Sequence, residues 1–364
     1  MKLLYVDLER EWRGGQSQAL LTLRGVRASG YAAELVAVGG CPLAQRAQAE
    51  GIPVHTVGPR ARRFQAALLL RRLLAARRIE VVHANEPHAL TAAWLARAHR
   101  RVAVVASRRV AYPLQDNSLA LARYRAARRI LAISRFVERS VLTSGLPANK
   151  VELVYEGVEV PAEPSAEARA VARRRWKVAD NEKLLGCVGY LLPEKGQQFL
   201  IPALQSLHGQ WASCRLLLAG DGSCRPRLEA LARELGLETA VIFAGLVEDV
   251  SQVYAALDVF VFPSLAEPLG TSLLAAMAYS LPVVAVASGG VPEYVEDRRS
   301  GLLVGQPDAG LIAAAVGRLL EDAEFAKHLG LVARETIRQR FSADIMVANT
   351  LRVYAQLCSP TTGS

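Results

Sequence analysis

Three stretches of this 364-residue sequence join residue types suited to anion and sugar chemistry with apolar runs that could hold them in place. The richest is Phe262-Pro263-Ser264-Leu265-Ala266-Glu267-Pro268-Leu269-Gly270-Thr271-Ser272, continued by Leu273-Leu274-Ala275-Ala276-Met277-Ala278. A strand-length apolar run ends at Pro263, a carboxylate follows at Glu267, and Gly270 opens an apolar helical stretch. The first N–H groups of such a helix, on Gly270, Thr271 and Ser272, have no intrahelical partner and lie at its positive end, which suits a diphosphate. A carboxylate just ahead of them can accept hydrogen bonds from sugar hydroxyls. The loop Ser288-Gly289-Gly290-Val291-Pro292-Glu293 follows the next apolar run and should lie beside Glu267.

The second stretch is Trp12-Arg13-Gly14-Gly15-Gln16-Ser17. Its paired glycines either let the backbone approach a bulky anion or make a plain tight turn. It is not G-x-G-x-x-G, and no acidic residue about 20 positions on is placed to hold a ribose, which argues against a nicotinamide dinucleotide. The third is Gly189-Tyr190-Leu191-Leu192-Pro193-Glu194-Lys195-Gly196. Lys195 can serve there as a phosphate cation or remain an ordinary surface lysine beside a turn.

The elements that must position these loops alternate along the chain. Lys2–Leu8 reads as a buried strand, Ser17–Ser29 as a helix with Gly30 at its C-terminal cap, and Glu34–Val38 as the next strand, a unit that implies a parallel sheet. Further strands are expected at 53–57, 81–83, 102–106, 130–133 and 151–154, with helices at 64–77 and 89–98. Residues 161–180, with Pro161, Pro164 and Arg173-Arg174-Arg175, read as a linker and a short helix. The alternation then restarts, with strands at 184–189, 215–219, 241–244, 259–262 and 282–287. Helices are expected at 197–207, 225–235, 250–256, 271–278 and 311–320, and 323–357 is strongly helical. The organisation expected is two doubly wound Rossmann-like domains, 1–165 and 166–340, facing a cleft. A helical tail, 341–364, is expected to pack back on the first. Ligands of such sheets bind at the carboxyl ends of the strands.

Composition narrows the setting. Hydrophobic residues make up 51% and aromatics 6%, an aliphatic α/β balance. Apolar runs fall short of the ~20 residues a spanning helix needs, and Asp7 interrupts the N-terminus too early for a signal peptide. The five cysteines lack CxxC spacing, so neither a disulfide framework nor a zinc site is expected, and a reducing cytoplasm is. The net charge of +10 is uneven: residues 1–160 carry 25 Lys and Arg against 12 Asp and Glu, or +13, and the remainder carries −3. A basic half attracts nucleic acid, anionic headgroups or an acidic substrate, or is simply a solvated arginine-rich face. No nucleic-acid recognition motif is present.

The run from Asp258 to Glu293, continued to Gly301-Leu302-Leu303-Val304, resembles the signature of glycosyltransferase family 4. Gly14-Gly15, Ala132-Ile133-Ser134, Gly157-Val158, Glu194-Lys195-Gly196, Ala219-Gly220-Asp221-Gly222 and Phe243-Ala244-Gly245-Leu246 are similar to other family blocks, in order. The resemblance implies a GT-B fold and a retaining transferase that needs no metal or other cofactor and uses a UDP- or GDP-linked sugar. Glu267 would contact the donor sugar as the first glutamate of an E-x7-E motif. Lys195 would neutralise the diphosphate, Gly14 and Gly15 would form a loop over it, and Gly189, Tyr190, Gly270, Thr271 and Ser272 would line the donor site. Leu246 and Val247 would receive the base. Val81-Val82-His83-Ala84-Asn85-Glu86-Pro87 resembles a block that often carries two histidines. His83 is then either a polar group near the donor or a buried histidine bonded to a loop carbonyl.

Three positions depart from the family pattern: Ala275 replaces the second glutamate, Tyr190 an arginine, and Asn85 the second histidine. Arg13 or the pair Arg108-Arg109 could supply the missing cation. The alternative to an active transferase is a GT-B protein that binds a nucleotide or sugar without turnover. The acceptor would be read by the first domain between Trp12 and Gln115, with Asn85, Arg108 and Arg109 in that wall. A basic wall suits a lipid-linked or saccharide acceptor, such as an envelope glycolipid or polysaccharide precursor. The expected location is the cytoplasm, with peripheral contact on an anionic membrane face.

Overall fold

The computed structural model describes residues 1–114 and 118–358. Gln115, the far edge of the expected acceptor wall, and residues 359–364 of the expected tail lie outside them. The chain divides into two compact units: Met1–Gly157 with the residues from Ala343 onward, and Val158–Ser342.

In the first unit, β1 (Lys2–Val6), β2 (Ala32–Val38), β3 (Val54–Val57), β4 (Val81–Ala84), β5 (Ala103–Arg108), β6 (Arg129–Ala132) and β7 (Val151–Leu153) form one sheet. Its order is β3-β2-β1-β4-β5-β6-β7, and each pairing is parallel. Parallel neighbours need long crossovers. These are α1 (Gly14–Ala28), α2 (Pro42–Ala49), α3 (Arg62–Ala76), α4 (Pro87–Leu95), α5 (Ser118–Ala126) and α6 (Arg135–Thr143). Helices on both faces explain why the strands read as continuous apolar runs: Leu3, Leu4, Tyr5 and Val6 are all fully buried.

The second unit opens with α7 (Ala166–Arg175) and continues through β8 (Lys183–Val188), α8 (Leu200–Leu207), β9 (Cys214–Ala219), α9 (Arg225–Glu234), β10 (Val241–Gly245) and α10 (Ser251–Ala256). It closes with β11 (Val259–Phe262), α11 (Thr271–Ala278), β12 (Val283–Val286), β13 (Leu302–Val304), α12 (Ala309–Glu321) and α13 (Ala323–Arg340). Its six strands run in the order β10-β9-β8-β11-β12-β13, again all parallel. The last helix, α14 (Ala343–Cys358), belongs to the first unit and packs on α1. In each sheet the strand order reverses once, between β1 and β4 and between β8 and β11. Doubly wound folds bind ligands at the carboxyl ends of strands flanking such a switch.

Several elements differ from what the sequence led us to expect. The helical stretch 323–357 is two helices. Phe341 is buried against Tyr294, with ring centroids 5.5 Å apart, and its carbonyl accepts the Val158 N–H at 3.0 Å, so the helix stops there. Val158–Ser165, which composition places in the first domain, lies in the second unit. The short helix expected after Pro164 is α7, and its Arg173 points inward. It is buried and donates to Asp258 at 3.1 Å and to the carbonyls of Ala179 and Glu182 at 2.7 Å each. Helices α2, α5 and α6 had no expectation. They are eight or nine residues long, and α2 and α6 start from local caps, such as Ser134 Oγ accepting Val137 N–H at 3.1 Å.

Candidate active site

At the β8/β11 switch, the chain leaves β11 at Pro263-Ser264 and turns through Glu267 into α11. Glu267 is buried. Its Oε2 accepts from Lys195 Nζ at 2.7 Å and from Ser264 Oγ at 2.8 Å. Among the described residues no donor reaches its Oε1. Lys195 comes from the turn after β8, which is held by Leu265 N–H donating to Glu194 O at 2.8 Å. On the other side, Gly290 N–H donates to Glu267 O at 2.9 Å and Ser288 Oγ to Ser264 O at 2.6 Å. Gly289 adopts φ +55°, and a Cβ there would lie 1.9 Å from Glu267 O. The 288–293 loop thus presses directly on the backbone that carries the carboxylate.

Gly270 caps α11 with φ +97°. Its carbonyl takes the Leu273 and Leu274 N–H groups, which leaves those of Thr271 and Ser272 ahead of the helical ladder. Buried Tyr294 donates its hydroxyl to Leu269 O at 2.6 Å and fixes the entry to the helix. Ala275 lies one turn on, partly exposed on the same face as Thr271, so the position is presented but carries only a methyl group. Gly189 (φ +155°) ends β8 and donates to Ala219 O at 2.9 Å. The Tyr190 carbonyl accepts from buried Gln197 at 3.0 Å. Leu246, just past β10, is 72% exposed, and Val247 is half-buried. Arg225 stands near this loop, 3.5 Å from where a Cβ on Gly245 would be, and pairs with Asp221 at 3.2 Å.

At the β1/β4 switch of the first unit, a buried polar network supports the Gly14-Gly15 loop. Asn85 Nδ2 donates to Asp7 Oδ2 at 2.6 Å and to Gly15 O at 3.0 Å, and its Oδ1 accepts from the Tyr5 hydroxyl at 2.6 Å. Gln16 Nε2 donates to the same Asp7 oxygen at 2.9 Å, and Gln16 Oε1 accepts the Arg13 N–H at 3.2 Å. Burial raises the Asp7 carboxyl above its ordinary range, while these donors pull it back. Arg109 donates to Glu156 and to the Asn85 carbonyl, each at 2.5 Å, and its side chain covers Gly15. Arg109 is therefore a clamp within the unit, as Arg108 is: buried Arg108 donates to the Tyr112 carbonyl and stacks on the Tyr112 ring at 4.6 Å. Both guanidiniums, which the sequence offered beside Arg13 as substitutes for the missing cation, are engaged within this unit.

His83 is also enclosed. Its Nε2 lies 2.7 Å from Ser107 Oγ, its Nδ1 bonds the Tyr354 hydroxyl of α14, and it is buried. Burial first, then the Arg109 charge, lowers its pKa to about 3, so it is neutral near pH 7. Both nitrogens are bonded to hydroxyls, and neither to a loop carbonyl. Glu9, Glu86 and His88 lie near one another, but Glu86 caps α4 and accepts N–H groups from Leu8, His88 and Ala89.

Sequence reasoning placed the 288–293 loop beside Glu267 but gave no role to Asp7, Gln16, Glu156, Ser264 or Tyr294. Their roles depend on contacts between distant segments. The acidic end of the otherwise apolar β1 run, Asp7, was the one local signal available.

Two units of parallel sheet, each with its ligand end at a strand-order reversal, define the GT-B class of fold. The family model described as Glycosyltransferase Family 4 matches residues 12–160, and that described as Glycosyl transferases group 1 matches residues 168–336. The chain belongs to glycosyltransferase family 4. It is 31% identical over 232 residues to an uncharacterized glycosyltransferase of Methanocaldococcus jannaschii, covering 62% of this chain and 59% of that protein. It is 32% identical over 212 residues to the GDP-mannose-dependent alpha-(1-6)-phosphatidylinositol monomannoside mannosyltransferase of Mycobacterium tuberculosis, covering 56% and 55%. The matches thus span somewhat over half of these relatives' lengths. HepE of Anabaena, solved with UDP and glucose, has the same fold, with a TM-score of 0.86 over 98% of this chain and 100% of that one at 23% identity.

Proposed function

We propose that this chain transfers a sugar from a nucleoside diphosphate sugar to a hydroxyl of a lipid-linked or saccharide acceptor, such as an envelope glycolipid precursor. The observation that carries the reading is the Lys195–Glu267 pair beside the open first turn of α11. One Glu267 oxygen is fixed by Lys195 and Ser264, and the other remains available for a sugar hydroxyl. The Thr271 and Ser272 N–H groups and the Lys195 ammonium would stabilise charge as the bond from the anomeric carbon to the diphosphate oxygen breaks. The acceptor hydroxyl would then bond to the same face of that carbon, giving retention, and its proton would pass to the departing diphosphate. This is electrostatic stabilisation by preset donors, without a metal. His83, enclosed and neutral, takes no part in this scheme.

The donor would be UDP- or GDP-linked, in keeping with the UDP bound to HepE and the GDP-mannose named for the mycobacterial relative. That relative's phosphatidylinositol monomannoside and the basic first unit both favour a lipid-linked acceptor. The test is a calorimetric screen of UDP- and GDP-sugars followed by measurement of nucleoside diphosphate release. Binding with release, enhanced by an acceptor, is expected. Because Ala275 offers no ribose anchor, binding without any release would favour a ligand-binding protein that has lost turnover.

A further inference from the structure

Beside β8, the carboxyl end of the second sheet is completed by the turns that leave β9 and β10. Backbone contacts hold these turns together. Gly220 N–H donates to Gly245 O at 2.8 Å, and Leu191 N–H donates to Asp221 O at 3.0 Å. Cβ atoms on Gly220 and Gly222 would lie 1.9 Å from Gly189 O and 2.4 Å from Leu191 O. Residues 220–222 are thus fixed between the turn that carries Lys195 and the turn that leads to Leu246.

Asp221 and Arg225 stand on this edge as an oriented pair. Arg225 opens α9 and lies along Gly245, with Nη1 3.5 Å from where a Cβ would be. Its Nε donates to Glu229 Oε1 at 2.8 Å and its Nη1 to Asp221 Oδ2 at 3.2 Å, so two carboxylates set the plane of the guanidinium. Its Nη2 has no acceptor among the described residues. Asp221 Oδ1 accepts the Gly222 N–H at 2.7 Å. A carboxylate has about four lone-pair sites, so each Asp221 oxygen has used one and keeps another. The two side chains are 46% and 32% exposed, which leaves them open to a ligand. As an exposed i,i+4 pair they add little stability.

Their chemistry is a guanidinium donor followed by two carboxylate acceptors, next to the loop expected to receive the base. Guanine alone among the common bases has two adjacent N–H donors, on N1 and N2, and its O6 acceptor stands beside them. It can meet both oxygens of one carboxylate while O6 takes the guanidinium. Uracil has a single N–H between two carbonyls, one of which would face the carboxylate. Adenine and cytosine each offer one amino group, so one carboxylate oxygen would go unmet. We propose that Asp221 and Arg225 select guanine, Asp221 accepting from N1–H and N2–H2 and Arg225 donating to O6, so that the sugar donor is GDP-linked. The assignment rests on the donor reading of the α11 site and narrows it to one base.

The affinities of the full chain for GDP, UDP, ADP and CDP would be measured by calorimetry. GDP should bind at least about tenfold more tightly than each of the others, because a site built for its donors leaves polar groups unpaired with the rest. Asp221→Asn and Arg225→Gln should each weaken GDP about tenfold and move the other three by less than about twofold. Lys195→Ala should weaken all four alike, since it removes a diphosphate contact and not a base contact. Both pair members are partly exposed, so the thermal midpoints of their variants should stay near that of the wild type. Should one variant fail to fold, the other and the wild-type order of affinities still decide. GDP binding no tighter than UDP, or pair variants that leave GDP unchanged or weaken all four nucleotides alike, would overturn the base assignment and leave the diphosphate site standing. Binding of none of the four would remove the donor reading itself, and the base assignment with it.

Discussion

Glu267 divides its carboxylate, giving one oxygen to Lys195 and Ser264 and leaving the other without a donor among the described residues. That division orients the group and leaves it an acceptor for a hydroxyl. Ala275 presents the opposite case, a position on the exposed face of α11 with no polar atom to offer. A carboxylate there could accept from two ribose hydroxyls, and charge-assisted hydrogen bonds contribute about 1.5–3 kcal/mol. Ala275→Glu should therefore lower the donor KM roughly tenfold or more, read from initial rates at saturating acceptor. An unchanged KM would mean that the helix face does not meet a ribose. Asn85 shows the limit of reading one residue by its family position. It stands where a histidine is usual, and the structure gives it a tie between Asp7 and Gly15 O, which only distant contacts could reveal.

The supporting elements act through close backbone approach. The 288–293 loop rests on the Glu267 backbone, and Gly289 permits that contact by having no Cβ and by taking φ +55°. Gly289→Ala should cost about 2–4 kcal/mol through strain and clash, seen as a lower urea midpoint, and it should raise the donor KM by displacing Glu267. A full retention of both would show the loop to be free of the site. Strand-to-helix alternation made the two parallel sheets legible, and the run from Asp258 to Glu293 made the second unit's site legible too. The break at Phe341 was not legible, because helical propensity continues through it and burial against Tyr294 stops it. The burial of Arg173 was not legible for a similar reason, since nothing local sets it apart from its two arginine neighbours until it finds three carbonyls and a carboxylate.

Over the whole molecule, charge and burial are distributed unit by unit. Nine arginines of the first 160 residues fall in α3, α4 with the turn after it, and α5 (62–76, 87–101 and 118–126), which hold no Asp or Glu, a grouping that composition could not localise. Within the same unit, His83 must stay neutral between Ser107 and Tyr354. Its pKa falls from 6.5 to about 3 on folding, so the stability it contributes is full above pH 6.5 and is lost as pH falls toward 3. In the window from pH 6.5 to 4.5 this amounts to about 1.4 kcal/mol per pH unit. His83→Gln should flatten the dependence of the first unit's urea midpoint on pH there, and an unchanged slope would contradict the placement. The central claim is that the Lys195–Glu267 site carries the sugar donor. Its most direct test is the rate of nucleoside diphosphate release from the best donor by the wild type and by Glu267→Gln, at matched folding. The account predicts a loss of roughly a hundredfold or more in kcat/KM, and equal rates would contradict it.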